Sequence, residues 1–296
     1  MLRLGIIGLS PGNGHPYSWA TIFNGYDAES MESCGFPVIP RYLEQRVFPE
    51  DQIPGARVTH VWAQKPDIAV HIARATRIDS VVTHWTDLIG KVDAVLLARD
   101  DAGRHREFAM PFLEAGVPIY VDKPLALTLR DAKDMLAAQQ YPGQLFSCSA
   151  LRYAREFQLS AEDHAAIGGI RQIHATTPKD WDRYAVHIIE PALLLVQGRG
   201  RVAAVRAWRG GDATTLAVRY ENGFQLLASA LGGASSPLAL RVMGDRGWKD
   251  LVFQDSFTAF RNALQEFVDG VRSRQPRIAP DFVLEVVSLI ETGRYL

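Results

Sequence analysis

The sequence predicts an α/β protein in which a doubly wound parallel sheet is followed by an α+β domain with a mostly antiparallel open sheet. Two observations support this prediction. Up to about residue 150, short apolar runs of strand length alternate with helical periodicity, which is typical of a parallel sheet covered on both faces. Beyond that point strand-like runs follow one another, and two helical segments close the chain. The predicted domains are therefore 1–149 and 150–296.

Composition excludes several classes of protein. The 296 residues include 32 Lys and Arg against 33 Asp and Glu, a formal charge of −1, so we expect no nucleic-acid partner and no attraction to anionic membranes. The two cysteines form no CxxC pair, and the eight histidines form no HExxH motif; we therefore expect no metal site and no disulfide framework. No signal-peptide or membrane-span pattern is present, and we expect a cytoplasmic protein.

The chain opens with the pattern strand, glycine-rich loop, helix. Residues 2–7 are a short apolar run that ends at Gly8. Glycines recur up to Gly14, and Pro16 then suits the first position of a helix, because its missing N–H would be unpaired there in any case.

Residues 26–57 interrupt this rhythm. The segment contains four prolines among several aromatic residues, which excludes a long regular element. We expect an excursion over the surface that either lines a substrate cleft or forms an oligomer contact.

The remainder of the first domain continues the alternation. The predicted strands are 58–63, 80–84, 92–98 and 117–121, and the predicted helices are 67–75, 104–115 and 128–139. Pro111 is a possible kink in the second of these helices.

The second domain is predicted from strand-like runs at 170–176, 202–208, 214–220, 224–231 and 238–243, followed by helices over 257–271 and 281–295. Asn222-Gly223 stands between two of the runs and predicts a hairpin with a type I′ turn.

The glycine-rich loop is the first candidate site. In a doubly wound fold this turn binds the phosphates of a dinucleotide, because glycine lets the backbone approach closely and the helix N-terminus presents N–H groups. The spacing Gly8-x-x-x-Gly12-x-Gly14 departs from GxGxxG, with Ser10 near the place of the second glycine. Together with Asn13, these residues are the candidate phosphate ligands, although a plain tight turn would also need glycine.

The ribose-binding position is also irregular. A carboxylate is expected after the second strand, and this chain has Gln64 and Lys65 there. Gln64 can hydrogen-bond a ribose hydroxyl without repelling a 2′-phosphate, and Lys65 can attract one. The choice between NAD and NADP therefore stays open, and both side chains could equally be solvated.

The sharpest signal is Asp122-Lys123-Pro124, which follows a buried strand and so lies at the carboxyl edge of the sheet, where ligands bind. Taken alone, a lysine is more often a solvated surface residue.

The motifs LRLGIIG, VDAVLLA and EAGVPIYVDKPLAL, with the tail from AFRNALQEF onward, resemble the Gfo/Idh/MocA oxidoreductases. The resemblance implies a Rossmann-like first domain, NAD or NADP as cofactor, and hydride transfer to or from a sugar, cyclitol or related polyol. It assigns Lys123 to substrate beside the nicotinamide as a catalytic residue, and Asp122, which replaces the glutamate of the family's Glu-Lys-Pro motif, to cofactor binding. It also implies a homodimer or homotetramer formed through the second sheet.

A second family motif, Asp-x-Gly-x-His-x-x-Asp, matches residues 182–190 more loosely. His187 fits the catalytic histidine, and Glu190 replaces the final aspartate. Arg183 occupies the position of the first aspartate, with Asp182 one residue earlier; Asp182, Tyr184 and Glu190 are the candidate substrate ligands.

The implied chemistry needs a group that takes or returns a hydroxyl proton. His187 is the candidate because an unperturbed imidazole titrates near neutrality. Glu190 lies one helical turn away and is expected to orient it, and Lys123 is expected to stabilise alkoxide charge. His187 could instead be a buried structural histidine, and His105 is expected to pack or to cap its helix rather than to approach the nicotinamide. The alternative function is a non-catalytic sugar or nucleotide sensor with a degenerate cofactor site.

Overall fold

The computed structural model describes residues 1–295 and contains two compact units. The first unit comprises residues 1–126, 130–147 and 260–283, and the second comprises 127–129, 148–259 and 284–295. The division therefore differs from a single boundary near residue 150, because part of the C-terminal tail belongs to the first unit.

The first unit is built on a six-stranded parallel sheet. Its strands are β1 (Leu2–Ile7), β2 (Ala56–Trp62), β3 (Ser80–Val81), β4 (Ala94–Leu97), β5 (Ile119–Val121) and β6 (Leu145–Phe146). The order is β3-β2-β1-β4-β5-β6, so the direction of winding reverses between β1 and β4. All residues of β4 and β5 are buried, as expected for strands covered on both faces. The predicted doubly wound parallel sheet is confirmed.

Helices of the described residues are α1 (His15–Asn24), α2 (Ala28–Glu32), α3 (Val38–Leu43), α4 (Pro66–Ala75), α5 (His105–Glu114), α6 (Leu129–Ala137), α7 (Ala161–Ile167), α8 (Trp181–Tyr184), α9 (Val186–Leu194), α10 (Ser256–Ser273) and α11 (Pro280–Tyr295). Short 3-10 helices occupy Trp85–Leu88, Ala102–Arg104, Ala150–Tyr153 and Arg155–Phe157. The strand predicted over 80–84 is only two residues long, and α5 continues through Pro111.

Residues 26–57 form a layer over α1. The prolines confine this segment to the short helices α2 and α3, as the sequence predicts. The hydroxyl of Tyr42 donates to Oγ of Ser18 at 2.6 Å, and the ring of Phe36 lies 6.2 Å from that of Tyr17. Consequently α1 is buried from its second residue to its end, between the sheet and this added layer.

Helix α10 places an aromatic face on the first unit. The ring of Phe260 lies 5.0 Å from His15, and the ring of Phe267 lies 5.7 Å from Tyr120 and 5.9 Å from Phe146. These apolar contacts explain why a helix from the end of the sequence completes the core of the N-terminal sheet.

The second unit contains another six-stranded sheet. Its strands are β7 (Ile170–Thr177), β8 (Val202–Gly210), β9 (Ala213–Tyr220), β10 (Gln225–Ala230), β11 (Ala239–Gly244) and β12 (Trp248–Val252). The order is β12-β11-β7-β10-β9-β8, and every pair except β7 with β10 is antiparallel. The predicted mostly antiparallel second sheet is confirmed.

The hairpin between β9 and β10 forms as predicted, but its turn type is different. A type I′ turn needs positive φ at both central residues, and here only Gly223 has positive φ, at +89°. Tyr220 accepts a hydrogen bond from the N–H of Gly223, and the side chain of Asn222 accepts one from the N–H of Phe224. A three-residue loop ending in glycine therefore replaces the predicted two-residue turn.

Candidate functional site

The glycine-rich turn joins β1 to α1 in the first unit. A Cβ on Gly8 would lie 2.1 Å from Cγ of Pro16, so glycine is needed where the first turn of α1 crosses the end of β1. Gly12 has φ of +82°, and a Cβ there would meet no atom within 4 Å among the described residues. The turn therefore presents backbone with open space beside it.

The donors of this turn are only partly engaged. At the start of α1, the N–H of His15 donates to Oδ1 of Asn13, Pro16 has no N–H, and the N–H of Tyr17 donates to Gly14. The N–H groups of Gly12 and Gly14 donate to no acceptor within residues 1–295. The unengaged N–H of Gly12, beside open space, fits a phosphate group of a dinucleotide, whereas Gly14 packs closely against Phe36 and Ile39.

The residues predicted to read the ribose lie after β2. The amide oxygen of Gln64 accepts from the N–H of Leu9 at 2.9 Å and from Nη1 of Arg99 at 3.2 Å. Arg99 is buried, also donates to the carbonyl of Leu9, and pairs with Asp101 at 2.6 Å. Gln64 thus braces the glycine-rich turn, whereas Lys65 is exposed.

Lys123 and Ser10 converge on a residue that the sequence did not single out. Nζ of Lys123 lies 3.7 Å from Oδ2 of Asp100, and the hydroxyl of Ser10 donates to Oδ1 of Asp100 at 2.6 Å. Lys123 is 4 % exposed and Asp100 is 7 % exposed, so the ammonium and the carboxylate form a buried pair. The sequence signal that could have indicated Asp100 is the run of charged residues 99–101, which follows the fully buried strand β4.

Asp122 is the centre of a second buried cluster in the first unit. Nδ1 of His15 donates to Oδ2 of Asp122 at 2.6 Å, Asn13 donates to the same oxygen at 3.0 Å, and the N–H of Lys123 donates to Oδ1. Burial by itself raises the pKa of Asp122, but the charges of His15 and Lys123 outweigh it and lower the pKa to about 2. His15, which stacks on Trp19, is a second residue that the sequence did not indicate.

This carboxylate predicts a pH dependence of stability. Because the folded-state pKa of Asp122 is about 2 and the ordinary value is 3.8, its ionised form stabilises the fold above about pH 4, and this contribution disappears as the pH falls towards 2. We expect Asp122→Asn to lower the free energy of unfolding near neutrality, and the difference from wild type to shrink between about pH 5 and pH 2. Urea unfolding across this range measures it. The exposed Asp281, as Asp281→Asn, is the control, and a difference that is constant with pH would contradict the prediction.

His187 lies in the second unit, on α9. Its Nδ1 is 2.8 Å from Oγ of Ser149, and His187 is 7 % exposed. Glu190 accepts from the N–H of Ser149 at 2.6 Å and from Nη1 of Arg152 at 2.6 Å. Burial raises the pKa of Glu190, and the charge of Arg152 and the N–H of Ser149 oppose that shift.

The expectation that Glu190 orients the ring of His187 is wrong. The helical spacing is as predicted, but both carboxylate oxygens of Glu190 are taken by Ser149 and Arg152. Ser149 contacts the ring at Nδ1. Sequence reasoning missed it because the two residues are 38 positions apart.

The two remaining candidates, Tyr184 and Asp182 on α8, have different contacts. The ring of Tyr184 lies 5.4 Å from that of His187, and its hydroxyl accepts from Nζ of Lys179. Asp182 instead accepts from Nε of Arg294 at 3.0 Å. Tyr184 therefore lies beside His187, whereas the carboxylate of Asp182 is engaged by the C-terminal helix.

His105 is fully buried at the start of α5. Its two ring nitrogens lie 3.1 Å from the carbonyl oxygen of Leu125 and 2.7 Å from that of Arg99. This position agrees with the expected packing role.

Among residues 1–295, no helix is long and apolar enough to cross a membrane, and no group of three or more His, Cys, Asp or Glu side chains could hold a metal ion.

Comparison with known proteins gives a family match over part of the chain and a shared fold over nearly all of it. Residues 41–149 match the Gfo/Idh/MocA model, described as an oxidoreductase family with an NAD-binding Rossmann fold. No curated protein matches the chain. The nicotinamide dinucleotide expected from the sequence agrees with the family description.

Solved structures share the architecture at low identity. Myo-inositol 2-dehydrogenase from Lactobacillus plantarum is 17 % identical with a TM-score of 0.75, and the alignment covers 99 % of this chain and 96 % of that one. Levoglucosan dehydrogenase, in complex with NADH and levoglucosan, is 17 % identical with a TM-score of 0.72 over 99 % and 96 %. GenD2 from gentamicin A biosynthesis, in complex with NAD, is 18 % identical with a TM-score of 0.71 over 99 % and 93 %. The solved structures therefore share the fold of the whole chain, and residues 41–149 in addition match the model of the Gfo/Idh/MocA family.

Proposed function

We propose that this protein is an NAD(P)-dependent oxidoreductase that transfers hydride between the nicotinamide and a hydroxyl or carbonyl group of a sugar, cyclitol or related polyol. The observation that carries the proposal is the buried ammonium of Lys123 after β5, paired with Asp100. Lysine is almost never buried unless it is paired, so the burial of this ammonium is unusual. It also lies at the carboxyl edge of a parallel sheet, which is where ligands bind. The structural neighbours that act on inositol and levoglucosan support the polyol class.

Lys123 has an electrostatic task in this proposal. An ammonium in a site shielded from water stabilises charge on a substrate oxygen more strongly than it would in solvent. Asp100 holds that ammonium in place, and Ser10 in turn holds Asp100. Lys123 thus lowers the energy of an alkoxide, while the bound nicotinamide supplies or accepts the hydride.

His187 has the proton-transfer task. The hydroxyl of Ser149 lies at its Nδ1, and we assign the exchange of the substrate's hydroxyl proton to Nε2. Tyr184, beside the imidazole, is the proposed substrate contact on α8. Glu190 and Asp182 fit that task less well, because the structure engages their carboxylates with Arg152 and Arg294.

Replacing His187 with glutamine should lower kcat by about 10²- to 10⁴-fold, the usual contribution of a positioned acid or base. Cofactor affinity should change little, because the imidazole acts on the substrate proton. Steady-state kinetics and nicotinamide fluorescence measure the two quantities. His164→Gln, on α7, is the matched control, and a kcat of His187→Gln within about threefold of wild type would contradict the role.

The proposal as a whole is tested by titration and a substrate screen. NADH and NADPH are added separately while nicotinamide fluorescence is followed, and a panel of cyclitols and sugars is then assayed with the oxidised form of each cofactor. We expect saturable binding and turnover of at least one polyol. The exposed Lys65 and the absence of a carboxylate beside Gln64 leave NADPH as plausible a ligand as NADH.

A sugar or nucleotide sensor is the second candidate. The observation that favours it is that the backbone of Leu9, within the glycine-rich turn, is already engaged. Its N–H donates to the side chain of Gln64, and its carbonyl accepts from the side chain of Arg99. A sensor would bind a polyol or a nucleotide without turnover. Saturable polyol binding by calorimetry, with no turnover on either cofactor, would favour this candidate over the oxidoreductase.

We also propose a cytosolic homodimer or homotetramer that uses the open face of the second sheet. Trp208 and Trp248, at the two edges of the sheet, are 54 % and 63 % exposed, which supports a further contact. On this sheet Leu227 is half-buried, so part of its side chain can enter an interface. Leu240 is fully buried within its own unit and cannot. The buried thiols of Cys34 and Cys148 suit a reducing compartment.

Trp208→Glu should therefore shift the protein to a smaller assembly, because a carboxylate would have to be desolvated in the interface. Analytical ultracentrifugation measures the mass, and Val70→Glu, on the exposed side of α4, is the control. A wild-type protein that sediments as a monomer would contradict the proposal.

A further inference from the structure

Ser149 lies at a junction of three hydrogen bonds. It is fully buried. Its Oγ lies 2.8 Å from Nδ1 of His187 and accepts from the N–H of Leu151 at 3.1 Å, and its own N–H donates to Glu190 at 2.6 Å. The serine therefore touches the imidazole with its side chain and is anchored through its backbone.

The anchor is a buried ion pair. Nη1 of Arg152 donates to Oε1 of Glu190, and the N–H of Ser149 donates to Oε2. Both oxygens accept hydrogen bonds, which suits an ionised carboxylate better than a protonated one. Arg152 and Glu190 together hold the peptide of Ser149 in one orientation, and the hydroxyl is thereby aimed at His187.

The hydroxyl of Ser149 can accept a hydrogen bond from the ring of His187. One of its lone pairs accepts from the N–H of Leu151, which leaves the other for Nδ1 of His187. With a proton on Nδ1, that nitrogen donates to Oγ in the neutral ring and in the imidazolium alike, so the contact persists while Nε2 gains and loses a proton. A carboxylate in this place would also accept, but its charge would favour the imidazolium.

We propose that Ser149 is the positioning residue of His187, and that its hydroxyl accepts from Nδ1 and so holds the imidazole in one orientation while the other ring nitrogen gains and loses a proton. The proposal rests on the proposed function, in which His187 transfers that proton. It assigns Glu190 and Arg152 to the anchoring of Ser149 rather than to the substrate.

The alternative is that Ser149 only caps the 3-10 helix Ala150–Tyr153, since it accepts from Leu151. A cap affects stability but leaves the imidazole unchanged. The test therefore includes a readout on His187 itself.

The first arm uses the full-length protein labelled with ¹⁵N-histidine. His187→Gln assigns the ring nitrogens of His187 among the eight histidines. In Ser149→Ala we expect the Nδ1 resonance and the tautomer ratio of His187 to change, and the signals of the other histidines to stay in place. Ser147→Ala, at a buried serine two positions earlier, is the control. Unchanged His187 signals in Ser149→Ala would overturn the proposal.

The second arm is kinetic. Ser149→Ala should lower kcat about tenfold and displace its pH profile, with KM for the polyol and affinity for NADH within about twofold of wild type. Ser149→Thr, which keeps the hydroxyl, should restore the pH profile. A pH profile identical to wild type in Ser149→Ala would overturn the proposal. Absence of turnover in wild type would count against the proposed function only, because the NMR arm decides the role of Ser149 without turnover.

Discussion

Lys123→Met is expected to lower kcat by about three orders of magnitude, which is the usual loss when a preorganised charge at a developing oxyanion is removed. Nζ of Lys123 lies 3.7 Å from Asp100, and both side chains are almost fully buried. Methionine keeps most of the side-chain volume and removes the charge, so the loss is electrostatic. Steady-state kinetics on the best polyol measures it.

The control is Lys133→Met, which removes an exposed lysine from α6 and should leave kcat within about twofold. The affinity for NADH should be retained in Lys123→Met, which separates a catalytic loss from a loss of cofactor binding. A kcat within about threefold of wild type would exclude Lys123 from the chemistry.

Arg152→Met is expected to lower the free energy of unfolding by about 3–5 kcal/mol, because it leaves a buried carboxylate without its counter-ion. The side chains of Arg152 and Glu190 are 12 % and 4 % exposed, and the pair is joined at 2.6 Å. Little water reaches Glu190 to replace the lost charge. Urea unfolding at neutral pH measures the change.

An exposed pair in the same unit provides the comparison. Arg241 and Asp250 are joined at 2.7 Å with side chains 52 % and 43 % exposed, so Arg241→Met should lower the free energy of unfolding far less than Arg152→Met. Removing both buried partners, as in Arg152→Met/Glu190→Met, should cost less than Arg152→Met alone, because no charge is then left unpaired. Equal costs for Arg152→Met and Arg241→Met would contradict the burial argument.

The sequence alone predicts much of the fold because its signals are local. The apolar run of β1, the glycines after it and Pro16 lie within 16 positions, and together they determine a strand, a turn and a helix. The position of Lys123 follows equally from the buried strand just before it. Such features depend on neighbours in the chain.

The site residues that the sequence does not reveal depend on distant partners. Asp100 meets Ser10 across 90 positions, and His15 meets Asp122 across 107. No residue pattern indicates a hydrogen bond of this kind, because its geometry arises only when separate strands assemble. The same reason explains why the hydrogen bonds of Glu190 were not predicted. Its helical spacing from His187 is as expected, but its partners, Ser149 and Arg152, lie far from it in the sequence.

The placement of α10 on the first unit has a consequence for synthesis of the chain. Trp19, Tyr120 and Phe146 emerge from the ribosome well before Phe260 and Phe267, which contact them in the folded unit. Until α10 is made, these aromatic surfaces lack their cover, and such exposed apolar surface promotes aggregation. The first unit is therefore completed only after residue 267 has been synthesised, and a fragment cut at residue 149 would lack part of its own core.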